Sequence, residues 1–110
     1  MITGREEALS LLRKWAEEST PLYCEVNFRR LAVGLEGSVA FVSDESLILR
    51  SDERLPELRL ALDLVVAFGS GDTRSIPGER ELFDFGLVLF FDEPAEAKNP
   101  ELVAFMERRV

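Results

Sequence analysis

The stretch Leu58-Arg59-Leu60-Ala61-Leu62-Asp63-Leu64-Val65-Val66-Ala67-Phe68 decides how the fold is read. Leu58, Leu60, Leu62, Leu64, Val66 and Phe68 recur at every second position, the period of a half-buried strand. Propensity pulls the other way, because Pro56 suits the first position of a helix and Leu, Ala and Arg are good helix formers. Six apolar residues at spacing two would encircle a helix rather than stripe it, so the period predicts one strand over 58–68.

Downstream, 69–81 is polar, with Gly69, Gly71, Gly78 and one proline, and predicts a loop. Leu82 to Phe91 is the most apolar segment, with Phe83, Phe85, Leu87, Leu89 and Phe91 on one face. Its other face holds Leu82, Asp84, Gly86, Val88 and Phe90, too apolar for free exposure, so this strand is expected to be covered on both sides or to sit at an interface. Leu82, Val88 and Phe90 are the candidate interface residues. After Asp92-Glu93-Pro94 and a polar linker, Asn99 as N-cap and Pro100 at the first position predict a short C-terminal helix with Leu102, Phe105 and Met106 inward.

Upstream, Thr3 and Glu6 have the spacing of a capping box. Ala8, Leu9, Leu11, Leu12, Trp15 and Ala16 form an apolar stripe at helical spacing, predicting a helix over roughly 4–18. After Pro21 the period becomes two: Leu22, Cys24, Val26 and Phe28 alternate with polar residues. The parity then moves to Leu31, Val33, Leu35, Val39 and Phe41, which requires a bulge or turn near Arg29-Arg30 or a hairpin at Gly34–Gly37. Ser43-Asp44-Glu45-Ser46 reads as a turn and Leu47-Ile48-Leu49 as a short strand. The expected fold is a single α+β domain over 1–110: an N-terminal helix, a five-stranded strongly bent antiparallel sheet or small barrel, and a short C-terminal helix.

The stretch from Cys24 to Leu49 resembles the first motif of the Sm-like proteins. It runs Val26-Asn27-Phe28, then Leu35-Glu36-Gly37-Ser38-Val39-Ala40-Phe41, a polar turn at 43–46, and Leu47-Ile48-Leu49. The resemblance implies a small open barrel of the SH3-like kind and a ring-forming habit through edge strands. The residues with which that family holds RNA are not carried over. Ser43 stands for the acid of the turn, Leu47 where an Asn would fall, and Phe68 before Gly69 where an Arg would fall.

Composition narrows function. The 110 residues hold 46% hydrophobic and 31% charged residues, a content that folds rather than stays disordered. There is no His and one Cys, which excludes a serine triad, a Cys/His zinc cage and an intrachain disulfide. A net charge of −8 repels nucleic acid, making a nucleic-acid partner unexpected. Gly69-Ser70-Gly71-Asp72 lacks the remaining residues of a phosphate-binding loop. Asp44-Glu45, Asp52-Glu53 and Asp92-Glu93 lie at strand ends without calcium-loop spacing, so no metal or cofactor is expected.

Asp63 and Asp84 are the best carboxylates for acid–base work if their strands are neighbours; otherwise they would pair with Arg29, Arg59 or Arg80. Cys24, on an alternating strand, reads as a buried thiol. Residues 1–7 show no apolar leader, and no apolar run spans a bilayer, so a cytoplasmic chain without a membrane role is expected. The resulting expectation is a non-enzymatic, self-associating homo-oligomer. The alternatives are an Sm-like RNA-binding module and a small ligand-binding protein or enzyme with an apolar pocket.

Overall fold

The structure is a computed structural model that describes residues 2–28, 31–51, 57–72, 83–93 and 100–108. Its elements are β1 (Ile2–Thr3), α1 (Arg5–Glu18), β2 (Leu22–Phe28), β3 (Leu31–Val42), β4 (Ser46–Arg50), β5 (Leu58–Ala61), a 3-10 turn (Leu62–Leu64), β6 (Ala67–Asp72), β7 (Phe83–Phe90) and β8 (Leu102–Arg108). All strand pairs are antiparallel, in the order β1-β6-β7-β8-β2-β3-β4-β5. The expected five-stranded sheet with two helices is therefore corrected, among the described residues, to one helix against eight strands, the first only two residues long.

Three changes account for the difference. The stretch 58–68 is not one strand. It divides into β5, which pairs with β4, and β6, which pairs with β7 and β1. Between them Val65 N donates to Leu62 O at 3.2 Å, so the local period is three. Leu62 and Val65 therefore face the core, while Leu64 and Val66 are 64% and 55% exposed.

Residues 102–108 form a strand rather than the expected C-terminal helix. β8 lies between β7 and β2, and Val103, Ala104, Phe105 and Met106 are all buried. A strand covered on both faces reads as an unbroken apolar run, in which Leu102, Phe105 and Met106 mimic helical spacing. Finally, Thr3 is taken up by β1 opposite Phe68, so the capping box does not form. Gly4 is the N-cap, without a side-chain hydrogen bond.

The remaining elements follow their patterns. In α1, Ala8, Leu9, Leu12 and Trp15 are buried against the sheet. Leu22, Cys24 and Val26 of β2 meet them from the inner face, with Val39, Leu47, Leu49, Phe68, Leu87, Leu89, Val103 and Phe105. The parity change lies at the β2–β3 connection, where Phe28 pairs with Leu31. Gly34 and Gly37 are not a hairpin; both lie inside β3. A Cβ at Gly34 would meet the Tyr23 hydroxyl, and one at Gly37 the Arg50 carbonyl, so both positions permit close packing along the bent strand. A bulge between Val39 and Phe41 then turns Phe41 outward and leaves Val42 against the core.

β5 and β6 stand toward opposite margins of the sheet, yet only residues 62–66 join them. That connection reaches at most roughly 20 Å when fully extended. The sheet must therefore curl around α1 until its margins approach. Arg5 fastens the closure: it donates from Nη1 to Leu62 O at 3.1 Å and from Nη2 to Asp44 O at 2.5 Å, and its guanidinium lies 5.8 Å from the centroid of the Phe68 ring.

Candidate association surface

The strand registers show which side chains share the open end of the curled sheet. Val66 N donates to Phe90 O, and Phe91 N donates to Glu101 O, each at 2.8 Å. These bonds continue the β6–β7 and β7–β8 ladders by one residue. Phe28 pairs with Leu31, and the rings of Phe28 and Phe91 meet edge to face at 5.4 Å. One row at the sheet end thus runs Val66, Phe91, Glu101, Phe28, Leu31. Phe28 and Phe91 are half-buried against the core, while Leu31 is 54% and Val33 39% exposed. The inner face is sealed at Val39 and opens progressively toward Leu31.

On the outer face, the adjacent row is Ala67, Phe90, Leu102, Asn27, Ala32, followed by Gly69, Val88, Ala104, Glu25, Gly34. The expected interface residues Val88 and Phe90 therefore share one face, as their spacing requires. Both are half-buried, and Val88 packs with Leu102 and Tyr23 around the buried pair Ala104 and Met106. Leu82, the third expected interface residue, lies outside the described residues. Phe90 and Leu102 thus extend the apolar row of the rim onto the outer surface.

The polar candidates are dispersed. Asp63 sits exposed in the 3-10 turn leading into β6, beside the Phe90 end of β7. Asp84 lies at the opposite end of β7, about 20 Å away at roughly 3.3 Å per residue. The two are therefore not brought together. Arg59, one of the expected partners of these acids, bonds Glu57 at 3.3 Å, and Arg50 bonds the same carboxylate at 2.9 Å. These two hydrogen bonds hold the Glu57 carboxyl below its usual range.

Gly69-Ser70-Gly71-Asp72 is not the expected loop but the body of β6. Asp44 and Glu45 occupy the predicted turn, where Ser43 Oγ accepts from Glu45 N and Ser46 N. Asp92 Oδ2 accepts from Glu101 N at 3.0 Å and so ties the end of β7 to the start of β8. Asp52 and Glu53 lie outside the described residues. Among the described residues, no three Cys, Asp or Glu side chains gather as a metal site.

Cys24 is buried on the inner face, and loss of hydration, reinforced by the charge of Glu25, pushes its thiol up to about 12. A shallow open depression of about 500 Å3 runs beside Glu6, Glu7, Ser10, Leu11 and Lys14 of α1. Asp63 is not among its walls. No described helix is long and apolar enough to cross a membrane.

The apolar rim was missed in the sequence because its members come from four separate segments. In sequence Leu64 and Val66 belong to the alternating apolar row of 58–68; only the three-residue period of the turn brings them out. Comparison of the chain with protein-family models, with curated proteins and with solved structures returns no match.

Proposed function

We propose that this chain is a non-enzymatic domain that works by associating with itself through the apolar end of its sheet. The observation that carries the reading is the row Val66, Phe91, Glu101, Phe28 and Leu31, apolar except at Glu101 and joined by the ring contact of Phe28 with Phe91, bordered by exposed Leu64 and Val33 and, on the outer face, by Phe90 and Leu102. A monomer rarely leaves a contiguous apolar patch of this kind uncovered without a use for it. The separation of Asp63 from Asp84 supports association over acid–base chemistry.

A second copy suits the surface because a closed two-fold contact uses the same patch on both subunits, and apolar patches are complementary to themselves. The charge of −8 opposes the approach of two copies through long-range repulsion, which salt screens. Self-association should therefore strengthen with ionic strength, whereas binding to RNA weakens.

The test is the solution mass by light scattering after size-exclusion chromatography, at low and high salt. The reading expects a discrete multiple of 12.4 kDa that is more populated at high salt. A mass of 12.4 kDa at every concentration and salt would overturn it.

A further inference from the structure

No further inference is drawn: the strongest candidate, the surface patch of exposed Phe41 and half-buried Ile48 on the outer face of the β3–β4 pair, is an unpartnered apolar face, and nothing in the structure shows what covers it.

Discussion

The indole nitrogen of Trp15 donates a hydrogen bond to Oε1 of Glu107 at 2.5 Å, joining the C-terminal half of the helix to the last strand. Glu107 lies opposite Leu22 of β2 and Phe85 of β7, so one bond holds the helix to the middle of the sheet. Trp15→Phe keeps the apolar contact and removes the donor. The expected loss is about 1–3 kcal/mol, the cost of leaving a partly buried acceptor unpaired, read from urea unfolding. An unchanged midpoint would show that water replaces the indole without cost.

The division of 58–68 makes opposite forecasts for two neighbouring leucines. Leu62 is fully buried and Leu64 is 64% exposed. Leu62→Ala is expected to cost about 2–5 kcal/mol through lost burial and the cavity left behind. Leu64→Ala should stay within about 0.5 kcal/mol, as surface changes do. Equal effects at the two positions would mean that the alternation runs through as a single strand.

Arg5 bridges the two margins of the curled sheet, donating to the carbonyls of Leu62 and Asp44 on the β4–β5 side and lying over the Phe68 ring of β6. Arg5→Ala removes both bonds and the ring contact with Phe68. A loss of about 1–3 kcal/mol is expected. Thermal unfolding should then show the midpoint lower by roughly 4–8 °C per kcal/mol for a domain of this size. Arg5→Lys should recover only part of it, because an ammonium lacks the planar fork that reaches two carbonyls at once.

Cys24 gives a pH dependence with a definite sign. Its thiol is pushed up to about 12 from an ordinary 9.0, so the folded state favours the protonated form. The stabilisation associated with this group is fully present below about pH 9 and is lost progressively as pH rises toward 12. Cys24→Ala should flatten that part of the stability profile. At pH 8 the native thiol should ignore an aromatic disulfide reagent until denaturant is added. Rapid labelling of the native protein would contradict its burial.

The sequence yielded the elements whose patterns are set locally. α1 and β2 are carried by one apolar stripe and one alternation, and the burial of Leu9, Leu12, Trp15, Leu22, Cys24 and Val26 follows directly. What escaped it is set by tertiary partners. Phe105 and Met106 have helical spacing to Leu102, but β2 and β7 on either side impose a strand. Thr3 has capping spacing to Glu6, but Phe68 recruits it into a ladder.

The rim depends on the same distinction. Val88 and Phe90 were legible as a second apolar face of β7, whereas the contact of Phe28 with Phe91 joins residues from opposite ends of the chain.

The central claim is that the apolar rim around Phe28 and Phe91 is an association surface, and the solution mass of Leu31→Asp beside that of the unmodified chain tests it most directly. Leu31 is 54% exposed, so the substitution leaves the core intact. The account predicts a discrete multiple of 12.4 kDa for the unmodified chain and a shift toward 12.4 kDa for Leu31→Asp, with the circular dichroism spectrum unchanged. A single-chain mass for the unmodified protein at every concentration, or the same multiple for both proteins, would contradict it.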